Sequence, residues 1–205
     1  MVLQPATPMR PILPLLLFSC AALATDADEG WRAVMHDVHE PAVDQAHARA
    51  AQALAQLGED DYGLADRPAA QALLDAPARS VEYTALPGEW RCRSLQVDPN
   101  GLFAYPAFRC RIELTEDGTL MFTKVSGSQR RHGQLYPKAD GHWVFLGGRS
   151  VNDDPYRPYS ATFGDFDGED LADDSIGLVE ALDDGRLRMI LDAEGERVEF
   201  YELKR

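Results

Sequence analysis

The chain has 205 residues, and its 34 acidic side chains against 20 basic ones give a formal charge of −14 at neutral pH. A surface of that sign repels a nucleic-acid backbone, whose binding runs on Lys and Arg neutralising phosphates, so no nucleic-acid partner is expected. The length suffices for one domain with a sizeable core plus an accessory segment.

In MVLQPATPMR a single base precedes PILPLLLFSCAALA, an apolar stretch too short to span a bilayer comfortably; together they read as an export signal. Two processing sites compete. Ala22-Leu23-Ala24 offers an A-x-A cleavage site that makes residues 1–24 a signal peptide, whereas Leu17-Phe18-Ser19-Cys20 resembles a bacterial lipobox and would leave Cys20 lipidated. No later segment is apolar enough to cross a membrane, so the mature chain is expected in the periplasm, soluble or lipid-anchored to the envelope membrane. Either signal removes Cys20 as a free thiol. Cys92 and Cys110 remain, in an oxidising compartment that favours a disulfide between them.

Residues 25–80 are alanine-rich and form a helical lead-in. Val43, Ala46, Ala50, Leu54 and Leu57 fall along one stripe at helical spacing, which predicts a helix over 40–58 with Pro41 in its first turn and Gly58 at its end. A shorter helix is expected from Asp66 as cap to Leu74, and Trp31 and Val34 are placed to anchor the segment.

From residue 81 onward the texture is β. Strands are expected at 88–97, 103–114, 119–126, 129–136, 142–148, 176–182, 186–192 and 197–204, separated by turn signals such as Asp98-Pro99-Asn100-Gly101 and Asp183-Asp184-Gly185. Short strands at this spacing close into a barrel or fold into a sandwich; the favoured architecture is mainly β, a small up-and-down, calycin-like eight-stranded barrel preceded by the helical segment. The long connection 149–175 stands out as a functional or disordered loop.

A disulfide between directly opposed cysteines would pair positions summing to 202 on the first hairpin. Trp90 then faces Ile112 and Ser94 faces Phe108, while the other face sets Glu89 against Glu113, Arg91 against Arg111 and Arg93 against Arg109. Like charges directly opposite are destabilising, so these arginines need either the chain's own acids or an external anion. Arg91 and Arg111 are the candidates for such an outer anion patch.

Other constellations read more plainly. Asp165, Asp167, Glu169, Asp170, Asp173 and Asp174 do not follow an EF-hand spacing and read as a solvated acidic lid. His36 and His39 lack a third ligand for zinc, and no metal or other cofactor is expected. SGSQRRHG, Ser126–Gly133, mixes Ser, Gln, Arg and His, but alternation sends neighbours to opposite faces and no nucleophile elbow accompanies them, so no catalytic residue is named and the chain is not read as an enzyme.

Gly88-x-Trp90 resembles the first-strand motif of the calycins, the lipocalins and their relatives. The resemblance implies a tryptophan packed beneath a basic residue from the last strand, for which Lys204 or Arg205 could serve. Taken in order, GEWRCR, FRCRIEL, SGSQRRHGQLYP and WVFLGG, after a helical stretch starting near Trp31, resemble an exported bacterial family catalogued as domain of unknown function DUF4893. That resemblance implies no activity. Its motifs map onto Cys92 and Cys110, Gly127 to Arg130, and Gly147-Gly148.

The expectation is a non-enzymatic binding module that holds a small or anionic ligand in the barrel mouth, with Trp90, Gln129 and Arg130 as its contacts. A periplasmic protein-interaction module such as a protease inhibitor is the alternative, and a hydrolase comes last.

Overall fold

The computed structural model describes residues 22–162, 169–194 and 197–205. Residues 1–21, including Cys20 and most of the expected signal segment, and the first part of the acidic segment, including Asp165 and Asp167, lie outside the described residues.

Among the described residues ten strands follow the helical segment: β1 (Ala78–Arg79), β2 (Gly88–Asp98), β3 (Gly101–Ala104), β4 (Phe108–Leu114), β5 (Leu120–Lys124), β6 (Gln129–Pro137), β7 (Trp143–Val151), β8 (Asp174–Leu182), β9 (Leu187–Glu194) and β10 (Arg197–Lys204). Antiparallel pairing runs β8-β7-β6-β5-β4-β2-β10-β9, and β9 returns to β8, so these eight strands close a barrel. The two remaining strands are short additions, β1 on β8 and β3 on the upper half of β2.

The expected strand over 103–114 is two strands. Pro106 lies in the irregular stretch between β3 and β4, and it offers no N–H to a ladder. The long β2 serves both pieces, pairing residues 95–98 with β3 and residues 88–92 with β4. The tight turn between β2 and β3 uses Gly101 at φ +134°, where a Cβ would lie 2.4 Å from the Tyr62 carbonyl oxygen. No side chain fits that approach.

The pairing of β2 with β4 differs from expectation by two residues. Trp90 faces Cys110 and Cys92 faces Phe108, so the Cys92–Cys110 disulfide runs diagonally across the ladder with a Cα separation of 5.9 Å. A two-residue slip preserves which face each side chain occupies but changes its neighbours. Glu89 now opposes Arg111, and the one like-charge pair left on this ladder is Arg91 with Arg109.

The helical stripe is buried as its spacing predicts, although the single helix over 40–58 is two: α2 (Glu40–Asp44) and α3 (Ala46–Gln56), interrupted at Gln45. Before them lies α1 (Ala22–Arg32), and after them α4 (Arg67–Asp75). Asp66 holds the N-cap position of α4, but its carboxylate accepts from Arg93 rather than from the helix. The breaks let the segment wrap the cylinder. Trp31, Met35 and Val43 pack on Val144, Leu146 and Ile176, the outer side of β7 and β8. Residues of α3 and α4 pack on Leu95, Val198, Phe200 and Ile190, the outer side of β2, β10 and β9. The outer faces of β4 and β5 take no part in either cluster.

Inside, the lower part of the barrel is filled with apolar side chains. Trp90, Phe122, Phe145, Met189, Tyr201 and the disulfide are among them. Gly133 and Gly147 face each other across β6 and β7, where a Cβ on Gly133 would meet the Gly147 Cα at 2.3 Å. Small residues there make room for Phe145, which meets Phe122 edge-on at 5.6 Å.

Candidate functional site at the barrel mouth

Above this core the interior becomes polar. Ser94 on β2, Lys124 on β5, Arg131 on β6, Ser175 on β8, Asp192 on β9, and Glu199 and Tyr201 on β10 meet in one layer.

Arg131 is its hub and is fully enclosed. Its Nε donates to Ser175 Oγ at 2.8 Å, Nη1 to the Tyr201 hydroxyl at 2.6 Å and Nη2 to Asp192 Oδ2 at 2.7 Å, with Glu199 Oε2 at 2.6 Å from Nη2. Glu199 Oε1 in turn accepts from Ser94 Oγ. A buried charge persists only when paired and hydrogen-bonded in this way. Burial pushes the Asp192 carboxyl up, but the Arg131 and Arg149 charges outweigh it and hold the group below the usual carboxylate range. Asp192 also adopts a left-handed backbone at φ +51°. Asp tolerates that region better than most residues, and strain of this kind clusters at ligand sites.

Lys124 lies beside the hub. Its ammonium donates to the Gln129 carbonyl at 2.6 Å and sits 4.2 Å from the Phe108 ring centroid. Burial drives this amine down to about 8 against the pull of Glu199. Arg131 and Lys124 balance Asp192 and Glu199, so the floor is electrically neutral.

Over the floor opens a cavity of about 370 Å³ whose walls include Gln96, Asp98, Gln129, Arg149 and Arg197. The Gln96 and Gln129 amides bond to each other at 3.2 Å. Arg149 donates to the Ala172 carbonyl at 2.8 Å and stands 3.7 Å from Asp192. Arg197 is exposed and has no carboxylate partner among the described residues. Among the described residues the rim thus carries two guanidinium groups against the carboxylate of Asp98.

Of the contacts expected from sequence, the structure brings Gln129 to this mouth and not the others. Trp90 is six residues down β2 from Gln96, roughly 20 Å away at strand rise. Its indole donates to the Leu86 carbonyl at 3.0 Å, and Arg205 covers its ring. Arg130 faces outward, with its guanidinium folded onto the carbonyls of Val125 and Gly127. Arg91 and Arg111 are on the outer face of β2 and β4. His132 is also outside, bonded to Thr123 at 2.8 Å and stacked on Tyr156, so Ser126–Gly133 assembles no common centre.

The mouth residues that sequence reasoning missed are Arg131, Arg149, Asp192, Arg197 and Glu199. Alternation carried the signal: with Gln129 inside, Arg131 must be inside and Arg130 outside.

Elsewhere, His39 meets the Tyr159 hydroxyl at 2.7 Å and His36 meets Ser160 at 2.9 Å, while Asp174 accepts from the Ser160 amide and hydroxyl. Asp173 pairs with Arg157 at 2.9 Å. These groups tie the β7–β8 connection to the lead-in. Among the described residues no cluster of His, Cys, Asp or Glu could hold a metal ion, and no helix is long and apolar enough to cross a membrane.

The family model described as domain of unknown function (DUF4893) matches residues 31–201, from the buried Trp31 to the Tyr201 of the polar layer. The chain belongs to the DUF4893 family. No curated protein and no solved structure matches it. The match takes in both the lead-in and the barrel, so this DUF4893 domain is the two together.

Proposed function

We propose that this DUF4893 protein is a non-enzymatic binding module of the periplasm that holds a small organic carboxylate in the barrel mouth. The observation that carries the reading is Arg197, a guanidinium without a carboxylate partner among the described residues, which lines with Arg149 a cavity whose floor is already neutral. Two arginine forks favour a planar carboxylate, and the Gln96 and Gln129 amides supply donors and acceptors for the rest of a small polar molecule. The cavity, about 370 Å³, is at the small end of ligand sites. The Cys92–Cys110 disulfide and the apolar N-terminus support an oxidising, exported setting.

Native mass spectrometry on protein recovered from the envelope, followed by calorimetric titration with a panel of small carboxylates, tests the reading. A dissociable mass is expected on the native protein, and Arg197→Ala and Arg149→Ala should lose it while Arg130→Ala keeps it. A bare native species with no heat from any carboxylate, or uptake indifferent to both rim arginines, overturns it.

A further inference from the structure

The outer face of the first ladder holds a second charge arrangement that the mouth does not use. On β10, β2 and β4 the register aligns Lys204 with Arg91 and Arg91 with Arg109, all three exposed. Neighbouring strands are about 4.8 Å apart, so the backbone positions of three cationic residues lie within roughly 10 Å on one rank. The neighbouring arginines are matched by acids. Arg93 pairs with Asp66 at 2.8 Å, and Arg111 has Glu113 at 3.0 Å and Glu89 opposite it.

Among the described residues, neither arginine of the rank has a carboxylate partner. Arg91 uses one N–H on the Ala107 carbonyl, at 2.8 Å. Arg109 makes backbone bonds to the 125–126 turn, but its guanidinium has no carboxylate among the described residues. Lys204 has Glu202 at 3.1 Å, an acid it shares with Arg186. Like charges directly opposite on a ladder cost stability, and 34 acids were at hand to relieve them. Among the described residues neither apolar cluster of the lead-in reaches this rank, and its three side chains are exposed. Ser126 Oγ accepts from the Arg109 amide at 2.8 Å, which leaves its own O–H as a further donor beside the pair.

We propose that Lys204, Arg91 and Arg109 form a phosphoryl-binding site on the outside of the barrel, separate from the mouth. A monoanionic carboxylate would leave most of this charge unbalanced. A phosphoryl dianion has the charge and the three oxygens to accept from two guanidinium forks and an ammonium at once.

The test uses the full mature chain with inorganic phosphate as probe, titrated calorimetrically at low ionic strength. One saturable phosphate per chain is expected, and Arg109→Gln or Arg91→Gln should weaken it by about tenfold or more, as the loss of a charge-assisted fork requires. Arg32→Gln makes the same change in net charge on α1 and should leave binding intact. Melting is a second readout. In phosphate-free buffer Arg109→Gln should melt higher than the wild type, because repulsion is relieved, and added phosphate should raise the wild type more than the variant.

Sedimentation with phosphatidylcholine vesicles, with and without phosphatidic acid, separates the sources. Capture by phosphatidic acid that phosphate competes away assigns a lipid headgroup, and phosphate binding without capture assigns a soluble phosphate ester. No phosphate binding, or binding equal in Arg109→Gln and Arg32→Gln, overturns the site whatever the fate of the mouth reading.

Discussion

Arg205 lies over the indole of Trp90, its guanidinium carbon 4.6 Å from the ring centroid, while its Nη2 donates to the carbonyls of Ala85 and Pro87. The last residue of the chain thereby caps the first barrel strand and the turn before it. An exposed cation–π pair contributes about 0.5–1 kcal/mol, whereas truncating a buried tryptophan costs about 3–5 kcal/mol. Arg205→Ala should therefore lower the unfolding free energy slightly and Trp90→Ala severely. Neither should alter carboxylate affinity of the folded protein, because the pair closes the end away from the mouth. Urea melts with titration at saturating fold would check this; lost affinity in fully folded Arg205→Ala would place the ligand at the wrong end.

The disulfide between Cys92 and Cys110 joins β2 to β4 inside the core, with both cysteines buried. A bridge over a loop of this size stabilises by roughly 2–4 kcal/mol, largely by restricting the unfolded chain. Reduction under native conditions should lower the urea midpoint accordingly, and intact mass under oxidising conditions should be two hydrogens below the dithiol. Equal midpoints with and without reductant would contradict the assignment.

A buried ion pair between β8 and β9 also holds the lead-in through hydrogen bonds. Arg188 Nη2 meets Glu180 Oε2 at 2.6 Å, and Arg188 Nη1 donates to the carbonyls of Leu73, Leu74 and Ala76, which the end of α4 leaves without helical partners. His47 Nε2 shares its contact between the two Glu180 oxygens, each at 3.0 Å. Arg188→Met should cost about 3–5 kcal/mol, since it strands a buried carboxylate. Arg188→Met with Glu180→Leu should recover much of that loss. Hydrogen exchange should speed up in α4 before β8 and β9 in the single variant. If α4 stays protected, its docking rests on its apolar packing, chiefly Ala70, Leu73 and Leu74.

What could be read from the sequence was parity and punctuation. Alternation in GEWRCRSLQV put Trp90, Cys92 and Ser94 on one face and the arginines on the other, and so they lie. Register was not legible, because a disulfide can join directly opposed or diagonal positions, and the two choices differ by a two-residue slip that changes no face. That slip moved Arg111 onto Glu89 and left Arg91 on Arg109, which alters the electrostatic meaning of the whole patch. The mouth was hidden for another reason. Asp192, Glu199 and Arg131 look like ordinary exposed charges until barrel closure brings β6, β9 and β10 around one axis. The break at Gln45 was equally invisible, since the stripe from Val43 to Leu57 suits one helix or two.

Lys124 gives the mouth a pH signature. Burial lowers its folded-state pKa to about 8 from an ordinary 10.5, so below pH 8 the amine is charged in both states and the whole cost of holding it in the barrel is present. Between about 8 and 10 the unfolded chain keeps its proton while the folded one releases it, and stability must rise with pH. Above 10 the buried Tyr201 hydroxyl, pushed up by burial, acts in the opposite sense, because only the unfolded phenol ionises. Urea midpoints at pH 7.5, 8.5 and 9.5 should therefore climb in the wild type relative to Lys124→Met, which has no amine to release. The variant should also match or exceed the wild type at pH 7.5, where the desolvated charge is most costly. Parallel pH profiles for the two proteins would mean that Lys124 is solvated in the folded state and that the layer beneath the mouth is wetter than its packing indicates.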